Sequence, residues 1–113
     1  VGSALAKYVT KTVLLNEASS TLKIFIDVAR PNNTEFEVYY KTGADETEVN
    51  AAVWVLATPD NIIPVSDTGT FSEVEWTIDP AIDFKAFTTK LVMKSENPAL
   101  VPEASAFRAI ALV

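Results

Sequence analysis

Between Thr21 and Lys41 the chain alternates apolar and polar residues with period two. Leu22, Ile24, Ile26 and Val28 fall on one side; Lys23, Phe25, Asp27 and Ala29 fall on the other. After Arg30-Pro31-Asn32-Asn33 the alternation resumes, with Phe36, Val38 and Tyr40 opposed by Glu35, Glu37, Tyr39 and Lys41. Successive side chains of a strand point to opposite faces, so this spacing predicts two strands, each with one buried face. The Pro/Asn break predicts a turn, and the two strands are expected to pair as an antiparallel hairpin.

The rest of the chain repeats the pattern in shorter pieces. Lys7 to Leu15 is dense in β-branched residues and predicts a strand, followed by a polar turn over Asn16 to Ser20. Val53 to Leu56 predicts a compact strand ended by Thr58-Pro59-Asp60-Asn61, and Asp67-Thr68-Gly69 predicts a turn. From Phe71 to Ile78, Glu73, Glu75 and Thr77 oppose Val74, Trp76 and Ile78. Ala86 to Ser95 predicts another strand, and Glu96 to Ser105, with Pro98 and Pro102, a loop. The closing run Phe107 to Val113 is nearly all apolar, which predicts a strand buried on most sides. Only Gly43 to Ala52 breaks the alternation, with room for one helical turn over Thr47 to Ala52. Seven to eight short strands with turn signals between them predict an all-β fold. The expected architecture is an antiparallel β-sandwich, immunoglobulin-like or jelly-roll-like, with Leu22, Ile24, Ile26, Phe36, Val38, Trp76, Leu91 and Ile110 in its core.

Composition narrows the function more than the fold. The 113 residues are the size of one domain, read as a single unit over residues 1–113; without an initiator Met it is expected to be a segment of a longer chain. There is no Cys and no His. Thiolate chemistry, zinc spacing and every Ser-His or Cys-His arrangement are thereby excluded. The three glycines do not form a phosphate-binding loop. A net charge of −6 disfavours a phosphate backbone as partner, and no basic patch offsets it, so nucleic acid is not expected. No apolar run approaches the ~20 residues of a membrane-spanning helix, and no membrane partner is expected. Charged strand faces and the net negative charge predict that isolated copies stay apart.

A few residues carry candidate chemistry. Asp27 and Arg30 lie at a strand end and are read as a structural ion pair. Glu73 and Glu75 share one strand face; paired carboxylates hydrolyse glycosides, but such a pair normally spans a cleft, and these predict a solvent-facing strand. Asp45, Glu46 and Glu48 form an acidic cluster without the turn glycine of a calcium loop, and are read as solvated. Asn32-Asn33-Thr34 fits a glycosylation sequon that loop composition explains equally well. Trp54, Trp76, Tyr39 and Tyr40 are the aromatic residues from which a sugar-stacking platform could be built, against the alternative that they pack in the core. No cofactor is implied.

Several pieces, taken in order, resemble a known family. They are Lys7-Tyr8-Val9-Thr10-Lys11, then Leu22 to Pro31 followed by Glu37-Val38-Tyr39-Tyr40-Lys41, then Phe71 to Ile78, Phe84 to Ser95 and Phe107 to Leu112. Together they resemble a β domain of large virion structural proteins of contractile-tailed bacteriophages of the marine and cyanobacterial type. The insert Ala44 to Ala52 has no counterpart in that pattern, and Trp76 stands where a Tyr or Phe is expected. The resemblance implies a β-sandwich without catalytic residues or enzymatic activity, located in the virion as part of a tail, baseplate or fibre. Its implied partners are other virion subunits or neighbouring domains of the same chain. The alternative function is a carbohydrate-binding module for host-surface or environmental glycans.

Overall fold

The computed structural model describes residues 3–67, 69–96 and 99–113. Its strands are β1 (Ser3–Val9), β2 (Val13–Ser19), β3 (Thr21–Ala29), β4 (Thr34–Gly43), β5 (Val55–Ala57), β6 (Ser72–Ile78), β7 (Phe84–Ser95) and β8 (Glu103–Leu112), with one helix, α1 (Glu46–Ala51). All pairings are antiparallel, and two sheets pack into a sandwich. Val1, Gly2, Thr68 of the expected turn and Asn97 and Pro98 of the expected loop lie outside the described residues.

β3 is the centre of the smaller sheet, between β6 and β8. Leu22, Ile24, Ile26 and Val28 are almost completely buried, as their alternation predicts. Burying each such side chain contributes roughly 1.5–3 kcal/mol, so this one strand anchors much of the core. β4 belongs to the other sheet, where it pairs β7 along its whole length and β5 over Val38 to Tyr40. The expected β3–β4 hairpin is therefore not formed. The turn after β3 is an arch that carries the chain from one sheet to the other, so that Leu22–Val28 and Phe36–Val38 meet face to face across the core. Asn33, at φ 62°, supplies the left-handed residue of the arch, a conformation Asn tolerates better than most residues.

β7 is the spine of the larger sheet. β4 covers one of its edges, from Thr34↔Ser95 to Gly43↔Ala86. Its other edge is shared by β1, paired to Lys90–Ser95, and β2, paired to Phe84–Phe87. The strand predicted over Lys7 to Leu15 is thus two strands. Thr10 makes the joint: its amide donates to Thr89 O at 3.0 Å, and its Oγ1 accepts from the Thr89 amide at 3.1 Å. Thr88 Oγ1 donates in turn to Thr10 O at 2.9 Å. These bonds satisfy polar groups that would otherwise be buried without partners. β2 continues to Ser19, through most of the stretch expected to be a polar turn.

At one side the sandwich is closed by a strand that changes sheets. β5 leaves β4 after Ala57, and Pro59 bridges Trp76 of β6. The Asp60 amide donates to Glu75 O at 2.8 Å, while its carboxylate accepts from the Thr77 amide and hydroxyl at 2.9 and 2.7 Å. At the opposite side β1 and β8 approach, and the rings of Tyr8 and Phe107 meet edge to face at 6.0 Å. Seven of the eight expected core residues are buried; Ile110 is 47% exposed. The reason is position. Among the described residues β8 pairs with β3 alone, as an edge strand, and Ile110 lies opposite Lys23 on the outer face.

Helix α1 packs on the outer face of the larger sheet, over the ends of β4 and β7, with Val49 fully buried. Asp45 caps it by accepting from the Glu48 amide at 2.9 Å, and Glu48 Oε1 accepts from the Ala44 amide at 3.0 Å. The arrangement is a variant of the capping box in which the Glu48 side chain reaches the amide one residue before the cap. It gives two members of the acidic cluster a structural role. Gly43 is required beneath the helix: a Cβ there would stand 2.8 Å from Glu48 Cβ.

Candidate functional site

The aromatic residues considered for a platform separate into two groups. Trp76, at 1% exposure, is the largest fully buried side chain and fills the interface between the sheets. Tyr40 lies on the inner face of β4, packed against the core. Neither presents a ring to solvent as a stacking surface, because even-numbered positions of β4 and β6 face inward. Tyr39 and Trp54 are half-buried and belong to the outer face of the larger sheet.

There they join a row of cations. Lys90, opposite Tyr39 on β7, places its ammonium 4.6 Å from the Tyr39 ring centroid and 4.7 Å from that of Trp54. Lys41 lies 4.6 Å from the same indole. Attraction between an ammonium and a ring face is worth about 0.5–1 kcal/mol at exposed sites. One turn of the pleat further along, Tyr39 donates its hydroxyl to Glu37 Oε1 at 2.8 Å, and Lys94 pairs with the same oxygen at 3.1 Å. Burial pushes the Glu37 carboxyl up, but the hydrogen bonds from Tyr39 and Lys94 outweigh it and hold the group below its ordinary value. The same contacts raise Tyr39 and Lys94. Sequence alternation had put Glu37, Tyr39 and Lys41 on one face; the lysines of β7 completing the row required the β4–β7 register.

The outer face of the smaller sheet is organised in the same way. Glu75 pairs with Lys23 at 2.9 Å, which raises the lysine, and Glu73 pairs with Arg108 at 2.6 Å. Each carboxylate has its own cation from a different strand. Arg108 reaches across β3 from β8 to β6, passing 5.5 Å from the Phe25 ring centroid. The expected ion pair between Asp27 and Arg30 is not formed. Arg30 Nε donates to Thr34 O and Nη1 to Ile63 O, both at 2.9 Å, so the guanidinium ties the arch to the loop after β5. Asp27 faces outward between Glu73 and Ser105 on the neighbouring strands.

Two clefts flank these features. One, of about 410 Å³, lies beside the part of β4 that β5 does not cover, with Arg30, Phe36, Leu56 and Ile62 among its walls. The other, of about 460 Å³, lies between β1 and β8, walled by Tyr8, Leu91, Met93, Ala104 and Phe107. Among the described residues no group of three or more acidic side chains is placed to hold a metal ion. The sequon Asn32-Asn33-Thr34 sits in the arch, where the Thr34 hydroxyl is buried and donates to Pro31 O. Compared with family models, curated proteins and solved structures, the chain matches none.

Proposed function

We propose that the chain is a non-enzymatic assembly module, a structural part of a bacteriophage tail, baseplate or fibre that holds its place through contacts with other virion subunits or neighbouring domains. One observation carries the reading. On both outer faces charged side chains form ion pairs within their own sheet, Glu37–Lys94 on one and Glu73–Arg108 and Lys23–Glu75 on the other. Beside these pairs the surface offers exposed apolar side chains, Tyr8, Leu14, Leu56 and Ile62 among them, and free strand edge, the material of protein–protein contact. The ordered set of sequence pieces from Lys7 to Leu112 supplies the phage part of the reading.

The test is mass spectrometry of particles purified from cells that produce the full-length protein, with chemical cross-linking before digestion. Peptides of this chain are expected in the particle, cross-linked to other particle proteins. Recovery of the protein only free of particles overturns the reading. A glycan panel supplies the second arm: binding that is abolished by Trp54→Ala would favour the carbohydrate-binding alternative, whose remaining aromatic residues are Tyr39 and Trp54.

A further inference from the structure

The smaller sheet stops one strand short of the larger. The larger has four strand positions, with β1 and β2 sharing the last; the smaller has three and ends at β8. Tyr8 and Val13 pair with Leu91 and Phe87, which are core residues, so both point toward the sandwich interior. Yet Tyr8 is 55% exposed and Val13 41% exposed. Tyr8 overhangs a space beside β8 that no described strand fills and walls the cleft of about 460 Å³ there, while Val13 lies further along the same edge of β7.

The edge of β8 is also unguarded. Natural edge strands commonly carry lysines, prolines or inward charges that prevent pairing. β8 has ten residues and only two charges. Glu103 accepts from the Gly69 amide, and Arg108 is drawn across β3 to Glu73; both are spent on their own domain. A bulge at Ala106 and Phe107, where β3 offers only Ile26, brings Phe107 into the cleft against Tyr8. Ala106 adopts φ 53°, a strained conformation for a residue with a Cβ.

We propose that β8 accepts one added β-strand, donated by a neighbouring protein chain, that completes the smaller sheet beneath β1 and β2. Addition of an extended segment to a free edge uses main-chain hydrogen bonds for affinity and alternate side chains for fit. The neutral edge calls for an uncharged donor, with apolar side chains at every second position to cover Tyr8, Val13 and Phe107. A second folded copy does not fit. Pairing β8 with β8 about a two-fold axis would drive the partner's overhanging layer into the space of β1 and β2, and two domains of charge −6 repel. The proposal rests on the assembly reading and names the kind of contact involved.

The probe is a synthetic ten-residue peptide of alternating valine and threonine, acetylated and amidated so that it carries no charge, added to this 113-residue chain. Amide exchange followed by NMR is expected to slow along β8 by about tenfold when free peptide is at ten times its Kd. A peptide with a central proline, which cannot complete the ladder, is expected to do nothing. Ile110→Lys, a substitution at an exposed outer position, is expected to keep the fold and weaken the peptide effect. Protection confined to β4, protection that the proline peptide reproduces, or sedimentation showing a dimer through β8 would each overturn the proposal. If the chain is found in particles but β8 gains no protection, the strand site is wrong and the assembly reading stands. The reverse pair of results refutes the assembly reading alone.

Discussion

Replacing Arg30 tests the correction that the structure makes at the β3 arch. The guanidinium donates to two carbonyls, Thr34 O and Ile63 O, at 2.9 Å each. The loop beyond is further tied by Ser66, whose hydroxyl accepts from the Arg30 amide at 3.0 Å and whose amide donates to Arg30 O at 2.8 Å. Arg30→Met preserves the aliphatic stem and leaves the backbone bonds to Ser66, so it isolates the two charged donors. Hydrogen bonds involving a charged group contribute about 1.5–3 kcal/mol each, and the site is only partly buried, so the low end applies and the loss is about 3 kcal/mol. At roughly 4 °C per kcal/mol for a domain of this size, the midpoint falls by about 12 °C. Arg30→Lys places one donor where the fork placed two and is expected to lose about half as much. Asp27→Asn is expected to cost less than about 0.5 kcal/mol, as a surface substitution does. The assay is urea unfolding of the two single variants and the double, closed as a thermodynamic cycle. A coupling energy above about 1 kcal/mol between positions 27 and 30, or an Arg30→Met variant as stable as the parent, would refute the reasoning.

Four further outcomes are expected. Gly43→Ala puts a Cβ 2.8 Å from Glu48 Cβ and 3.1 Å from the Val49 amide, so α1 must shift, at a cost of about 1–3 kcal/mol by denaturant unfolding; an unchanged midpoint contradicts this. Ala106→Gly relieves about 1–2 kcal/mol of left-handed strain against about 0.4–1 kcal/mol of added unfolded-chain entropy, and thermal melting should show a net gain; a loss would contradict it. In acrylamide quenching, the emission remaining after Trp54→Phe, which reports buried Trp76, should be blue-shifted and little quenched; ready quenching would place Trp76 elsewhere. Stability against pH should be flat through neutrality. The depressed Glu37 contributes stability above the ordinary glutamate value of 4.5 that is lost as pH falls through its lower folded value. The raised Tyr39, Lys94 and Lys23 contribute below 10.0 and 10.5, and that contribution is lost as pH rises through their higher folded values. Glu37→Gln should reduce the acid-side slope in a melt series, and an unchanged slope would show that other carboxylates dominate.

Which residues face the core was legible because period-two spacing reports side-chain direction, a local property. Leu22 to Val28, Phe36 and Val38, and Val74 to Ile78 all fall inside as the alternation requires. Which strand lies beside which was not legible, because direction carries no information about neighbours. An arch and a hairpin present the same alternation on both sides of Arg30 to Asn33, and only the pairing of β4 with β7, far along the chain, separates them. The same limit explains Ile110 and the outer face of the larger sheet. An apolar run is buried on both faces in a central strand and half-exposed in an edge strand, and nothing within Phe107 to Val113 states which it is. Lys90 and Tyr39, fifty-one residues apart, become one row only through register. The arginine shows a different failure. A carboxylate three residues away was the obvious partner in sequence, but Asp27 lies on the outer face of β3 while Arg30 has turned into the arch, where two carbonyls from other segments lie within reach. Partner choice for a long charged side chain is thus set by where the backbone turns, and a turn that changes sheets also changes the set of acceptors. Where such turns gather, at the arch and at the β5 crossing, sequence distance is the weakest guide to contact, and the double-variant cycle at positions 27 and 30 measures that directly.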